Sequence, residues 1–276
     1  VVKFFQDELK YEYLGNWEER EENSNIEKEY LLKYLKGTYD DSLIKKAISQ
    51  LEKVSRNQNK SLYDINKEIY SFLRYGISVK ENIGDKKQTI QLINWKEPLK
   101  NNFYIAEEVT VAGEHGKRPD VVLYVNGIVL GVLELKRSKV SVSEGIRQNL
   151  DNQKPEFIRN FFGTIQLVMA GNDSEGLRYG VIETPEKYYL NWKEETGIRN
   201  RLDSGLSALC NKERFLELIH DFIVFDVGQK KIARHNQYFA VKDTQKKLKK
   251  REGGIIWHTQ GSGKTLTMIW VAKWIR

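Results

Sequence analysis

From Ile26 onward the apolar residues Ile26, Tyr30, Leu31, Tyr34 and Leu35 recur at helical spacing until Gly37 stops the run. After the Asp40-Asp41 pair, Leu43, Ile44, Ala47, Ile48 and Leu51 define a second helix, and a third is predicted from about Leu62 to Arg74, closed by Gly76. The period then changes from helical to alternating. GISVKENIGDKKQTIQLI reads as two strands joined around Gly84-Asp85, FYIAEEVTV as another, and RPDVVLYVNGIVLGVLELK, residues 118–136, as a hairpin. VSEGIRQNLDNQ returns to a helix, TIQLVMAG is a buried strand ending at Gly171, and RYGVIET and KYYLNWK suggest short strands. Beyond them lie a helix containing FLELIHDF, a lysine-rich helix from about Asn236, an apolar strand GGIIW, and a helix LTMIWVAKWI.

This alternation of strands and helices predicts an α/β fold. The acidic stretch WEEREENSNIEKE, residues 17–29, lacks periodicity and is expected to be a solvated loop running into the first of these helices. The polar, turn-rich residues 194–211 mark a candidate boundary, dividing the chain into 1–200 and 201–276. No internal repeat is visible. No methionine opens the chain, so its beginning is expected to be missing or processed.

Composition narrows the class. Charged residues make up 30% and hydrophobic residues 40%, and no apolar run approaches the ~18 residues of a membrane span. A single cysteine, Cys210, excludes a disulfide framework, and four scattered histidines offer no zinc spacing, so a reducing cytoplasm and no membrane are expected. The 45 Lys+Arg against 38 Asp+Glu are compatible with a polyanionic partner without requiring one.

The hairpin carries charges where charges are costly: Asp120 at its mouth, Glu134 and Lys136 closing its second strand. Asn126-Gly127 is a strong turn signal because both residues tolerate positive φ. With a two-residue turn, Val125 would pair with Ile128, and Asp120 would fall opposite Leu133, away from Glu134. A three-residue loop with a bulge at Gly127 pairs Tyr124 with Ile128 instead, so that Asp120 opposes Val132 and becomes the diagonal neighbour of Glu134, about 7–8 Å away. A bulge at this turn, or an irregularity near Pro119, is therefore expected. Two carboxylates with a nearby backbone carbonyl are hard oxygen ligands suited to Mg²⁺, and Lys136 could orient a water or neutralise charge on a phosphate. The bland alternative is an exposed Glu-x-Lys pair, against which the apolar Val132, Leu133 and Leu135 argue.

RPDVVLYVNGIVLGVLELKRS resembles the PD-(D/E)xK nuclease core of the restriction (R, HsdR-type) subunit of type I restriction enzymes. The likeness extends upstream through DINKEIYSFLRYGISV and NNFYIAEEVTVAGEHGKRPD and downstream to the phosphate loop. It implies a restriction-endonuclease-like mixed sheet flanked by helices, with Asp120, Glu134 and Lys136 catalytic and Asp120 and Glu134 holding Mg²⁺. It further implies double-stranded DNA as substrate, with methyltransferase and specificity subunits as partners. The family often adds Gln-x-x-x-Tyr on the next helix; Gln148 fits its first position, but Asn152 stands where the tyrosine would be. The family also tends to carry a glutamate on a helix ahead of the region where this chain begins; that helix is expected to be missing here, which leaves a helix-borne carboxylate unidentified.

GSGKT, residues 261–265, stands between an apolar strand and an apolar helix, where backbone N–H groups favour phosphate. Lys264 would reach the β/γ-phosphates and Thr265 would ligate Mg²⁺, with Gly261, Ser262 and Gly263 forming the cradle. His258 replaces the first glycine of the strict pattern, as in motif I of superfamily 2 helicases and translocases, which HTQGSGKT resembles. Gln237 lies where the adenine-reading glutamine of such ATPases would be, and the run KDTQKKLKKREGG is either a DNA-phosphate contact or a solvated helix end. Only eleven residues follow Thr265, so an incomplete RecA-like motor is expected, with ATP used by the longer protein. Two other functions stay open: a nuclease–helicase fusion acting without partner subunits, and a non-catalytic DNA-docking module.

Overall fold

The computed structural model describes residues 1–82 and 84–275. A short helix α1 (Val2–Asp7) precedes strand β1 (Glu12–Asn16), followed by helices α2 (Lys28–Leu35), α3 (Asp41–Ser55) and α4 (Leu62–Tyr75). An antiparallel pair, β2 (Ile77–Val79) and β3 (Gln88–Ile90), leads into β4 (Phe103–Glu107), β5 (Val121–Val125) and β6 (Ile128–Leu135). Helix α5 (Val142–Asn152) crosses over to β7 (Leu167–Asn172), and β8 (Gly176–Gly180) and β9 (Leu190–Asn191) follow. The remainder comprises α6 (Arg201–Cys210), α7 (Lys212–Asp221), the hairpin β10 (Ile223–Asp226) and β11 (Gln229–Ile232), α8 (His235–Lys249) and α9 (Lys264–Ile275).

The main sheet has seven strands in the order β1-β4-β5-β6-β7-β8-β9. It is mixed: β1–β4 and β6–β7 are parallel and the other pairs antiparallel. The predicted α/β class, a mixed sheet flanked by helices, is what the chain adopts.

Alternation along the strands separates two apolar layers. Val121, Leu123 and Val125 of β5 join the larger layer, with residues of α3, α4, α6 and α7. Val122 and Tyr124 point into a second layer with Tyr104, Ala106, Val132, Phe162 and Val168. The five apolar positions that defined the second helix are all buried on α3. Helix α4 starts at Ser61, whose side chain accepts the Asp64 N–H, and ends at Gly76.

Several expectations need correction. Residues 17–29 are not a freely solvated loop: Trp17, Asn25, Ile26 and Glu27 are buried. Glu27 pairs with Arg20 at 2.6 Å, and Asn25 donates to Ser55 Oγ at 2.7 Å. The acidic composition hid these inward anchors. FYIAEEVTV stops as a strand at Glu107 because Glu108 turns the backbone to φ 51°. KYYLNWK contributes only the two residues of β9. GGIIW forms no strand; Ile255 and Trp257 are about nine-tenths exposed, and no described strand lies beside them to pair with. Within 194–211, residues 201–210 are helical, and Leu202, Leu206, Leu209 and Cys210 pack in the same layer as the sheet.

Two lysines tie the later elements to the sheet region. Lys230 on β11 is buried and donates to Asn66 Oδ1 at 2.7 Å and Gln166 Oε1 at 2.6 Å. Burial without a carboxylate partner holds this ammonium well below the usual lysine value. Lys273 on α9 donates to the carbonyl of His220 at 2.9 Å, at the C-terminal end of α7, where Arg74 of α4 also donates. Cations suit the unpaired carbonyls of a helix end.

Candidate active site

The hairpin brings Asp120 and Glu134 together by a route other than the expected one. Asn126 and Gly127 make a two-residue turn, with φ of 53° and 87°, and Val125 pairs with Ile128. The Asn126 side chain is buried in that turn and donates to the Leu92 carbonyl at 2.9 Å and Asn101 Oδ1 at 2.8 Å, which fixes the tight geometry. The irregularity lies further along: Tyr124 pairs with Val129 but Leu123 with Gly131, so Leu130 is the extra residue of a bulge in β6. Beyond it Val121 pairs with Leu133. Asp120, one step before Val121, therefore reaches the level of Glu134, one step after Leu133. The two acids are directly opposite, not diagonal, and share the face of Val122 and Val132.

Glu134 is fully buried, and its Oε2 has no hydrogen-bond partner. Burial first, and the Asp120 carboxylate second, push its carboxyl well above the usual range, while Lys136 pulls it back. Asp120 Oδ2 accepts the Leu135 backbone N–H at 2.6 Å, which anchors it to the opposing strand. Lys136 Nζ lies 4.0 Å from Glu134 Oε2 and donates to Gln148 Oε1 at 2.6 Å. Helix α5 supplies Gln148 and lies close over the sheet, because a Cβ at Gly145 would stand 3.4 Å from Glu134 Cβ and 3.5 Å from Lys136 Cε. Asp120, Glu134, Lys136 and Gln148 thus form one cluster.

An orphaned, buried carboxylate oxygen beside a second carboxylate is costly unless a cation shares it. The donor set is all oxygen, which fits a hard divalent ion such as Mg²⁺. Two residues at the cluster were not singled out from the sequence. Asn152 Nδ2 lies 3.5 Å from Glu134 Oε1, in the position where the family tyrosine is lacking. Glu108 follows the end of β4, and its carboxyl is raised by burial and then by the Asp120 charge. Glu108 belongs to no spacing motif, and Asn152 departs from the residue type its motif position calls for. A cleft of about 1160 Å³ runs between residues 20–29 and 155–161 and includes none of the four clustered residues.

The phosphate-loop residues form a second, separate group. Gly261 and Gly263 have φ of 77° and 81°, and Lys264 opens α9 while its Nζ donates to the carbonyls of His258 and Thr259 at 3.0 and 3.1 Å. Thr265 follows in the first turn of α9, and the Ser262 hydroxyl is buried without a partner. Gln237 is buried on α8; its Oε1 accepts the Arg234 N–H, and its Nε2 donates to the carbonyls of Ser262 and Gly263 at 3.2 and 3.0 Å. Both ends of that amide are engaged within the chain, so reading adenine would require it to leave these partners. In the lysine-rich run, Lys242, Lys246 and Lys247 face Glu217, Asp243 and Glu252 respectively.

The chain thus combines a mixed sheet that gathers two acids and a lysine with a glycine-rich helix entrance. The family model "Type I restriction enzyme R protein N terminus" matches residues 1–187, and the chain belongs to that family. A second model, "SWI2/SNF2 ATPase", matches residues 236–276, in keeping with the start of a translocase. The chain is similar to the putative type I restriction enzyme MjaVIIIP endonuclease subunit of Methanocaldococcus jannaschii, 28% identical over 257 residues, covering 86% of this chain and 24% of the relative. The type I restriction enzyme HindI endonuclease subunit of Haemophilus influenzae is 28% identical over 235 residues, covering 75% and 22%. The SauCOLORF180P endonuclease subunit of Staphylococcus aureus is 26% identical over 185 residues, covering 64% and 20%. The chain spans about a quarter or less of the length of these relatives. Among the described residues no helix is long and apolar enough to cross a membrane.

Proposed function

We propose that the chain carries the DNA-cleaving site of a type I restriction enzyme R subunit: a Mg²⁺-dependent endonuclease of the PD-(D/E)xK kind, acting on double-stranded DNA. The observation that carries this reading is the facing pair Asp120 and Glu134, with one buried Glu134 oxygen free of any partner and Lys136 beside it. A divalent metal between these carboxylates would polarise a phosphate oxygen and acidify a bound water. Lys136, steadied by Gln148, holds positive charge next to the pair, where negative charge grows on a phosphate under attack. The Leu135 N–H keeps the Asp120 carboxylate in place through that change. The apolar layer on the same face limits how the two acids can turn.

The phosphate loop belongs to the same reading. Lys264 and the cradle 261–263 would hold ATP phosphates, Thr265 a Mg²⁺ ion, and Gln237 would brace the loop or read adenine. ATP hydrolysis in the longer protein would drive DNA translocation, with sequence choice left to methyltransferase and specificity subunits in the cytoplasm. The decisive assay uses the full R subunit assembled with those partners, ATP, Mg²⁺ and unmodified supercoiled DNA. Asp120→Asn and Lys136→Ala are each expected to cut at least about 100-fold more slowly, with DNA binding retained. Cutting at the unsubstituted rate by Asp120→Asn would remove the reading.

A further inference from the structure

Glu107 is the last residue of β4 paired with β5, opposite Val121. One step on, the Glu108 N–H donates to the Asp120 carbonyl at 2.9 Å, so Glu108 stands beside Asp120 as Asp120 stands beside Glu134. Tyr104 and Ala106 of β4 lie in the layer that holds Val122 and Val132; Glu108 follows the strand's end at φ 51°, and its carboxyl feels the Asp120 charge. Three acids therefore lie side by side at the ends of three adjacent strands. Glu108 is only part-buried, and its Oε2 is engaged by Arg118 Nε at 2.8 Å; the same arginine also pairs with Glu18. As they stand, no three acidic groups among the described residues converge at ligand distance. The independent sign that something is to be bound here is the Glu134 oxygen, fully buried and without a hydrogen-bond partner.

We propose that Glu108 is a third acidic residue of this site, restrained by Arg118 and able to join Asp120 and Glu134 around a divalent cation when Arg118 releases it. The inference rests on the reading that Asp120 and Glu134 hold such a cation. Arg118 is exposed enough to exchange partners, with 44% of its side chain accessible, and a second carboxylate, Glu18, is already within its reach. Its departure would return a negative charge to a group that otherwise sets three acids against two bases, Arg118 and Lys136. That is the charge balance a divalent ion would correct. The sequence search for a third carboxylate looked to a helix. The ladder instead puts one at the end of a strand.

The test measures Mn²⁺ binding to the 276-residue chain by titration calorimetry without DNA, so that no turnover is needed. Glu108→Gln is expected to weaken binding by about 10-fold or more, a size typical of groups that support a metal site. Arg118→Gln is expected to move the other way, binding more tightly, because Glu108 is freed. If Glu108 and Arg118 only brace the loop, the two substitutions shift Mn²⁺ affinity in the same direction or not at all, and the proposal fails. Should Glu108→Gln not fold, as judged by its far-ultraviolet spectrum, the sign of the Arg118→Gln effect still decides. Asp120→Asn separates the layers of the argument. Loss of binding in Asp120→Asn with Glu108→Gln unchanged sinks only the role of Glu108; full binding by Asp120→Asn sinks the metal reading beneath it.

Discussion

Glu134→Gln is expected to make the chain more stable at pH 8 in the presence of a chelator, while abolishing its response to Mg²⁺. The unsubstituted carboxyl is buried and faces Asp120, so its folded-state value lies well above that of the unfolded chain, near 4.3. A group raised in this way favours the fold fully below the unfolded value and loses that contribution as pH rises through the folded value. The rise is a cost the charged carboxyl imposes on the fold, so the neutral amide is expected to be the more stable of the two at pH 8. Lys136 at 4.0 Å works against the gain, but burial and the Asp120 charge outrank it. Urea unfolding at pH 5 and pH 8 checks the claim: the two proteins should differ little at the lower pH and diverge at the higher. Mg²⁺ should then restore the unsubstituted chain and leave the variant unmoved. A variant less stable than its parent at pH 8 would mean that the carboxylate is not under electrostatic stress.

The second large effect is expected at the turn. Gly127 has φ 87°, a conformation costly for any residue with a Cβ. A Cβ there would also stand 2.6 Å from the Glu27 carbonyl oxygen and 2.8 Å from the Leu31 nitrogen. Both are backbone atoms at the start of α2, and the Glu27 N–H donates to the Gly127 carbonyl at 2.7 Å, so neither partner can retreat freely. Adding strain and overpacking, Gly127→Ala should lose about 2–5 kcal/mol of stability in denaturant unfolding. A loss below about 1 kcal/mol would show that α2 can swing away from the turn. Because Asn126 and Gly127 set the register, the same substitution should also disturb the cluster at the far end of the hairpin.

How much of this was legible in the sequence depends on the range of the signal. Helical faces such as that of α3 depend on neighbours along the chain, and their buried positions were readable one by one. Asp120, Glu134 and Lys136 stand out in the sequence because alternation within strands and the turn signal at Asn126-Gly127 are local, whereas Gln148 is pointed to only by the likeness to the family's Gln-x-x-x-Tyr element. The position of the bulge was not legible. It lies at Leu130, where a Cβ on the adjacent Gly131 would meet the Phe215 ring of α7 at 3.3 Å, a contact 84 residues away in sequence. Glu108 was passed over for a similar reason: its place beside Asp120 is created by pairing between strands, and its own neighbours read as an ordinary continuing strand. GGIIW shows the reverse error. An apolar run has strand character only where another strand can take up its backbone groups.

The bulge at Leu130 also constrains how this gene segment can change. Smoothing the bulge out while every codon is kept would produce a more regular ladder, with every hydrogen-bonding step in phase from turn to tip and Leu133 opposite Asp120. It would also rotate all that follows by half a pleat, sending the charged ends of positions 134 and 136 into the layer occupied by Leu133 and exchanging oil for acid on both sides. A tidier hairpin of the same length would thus be a blank one, and the irregular step is the part of the strand least open to smoothing.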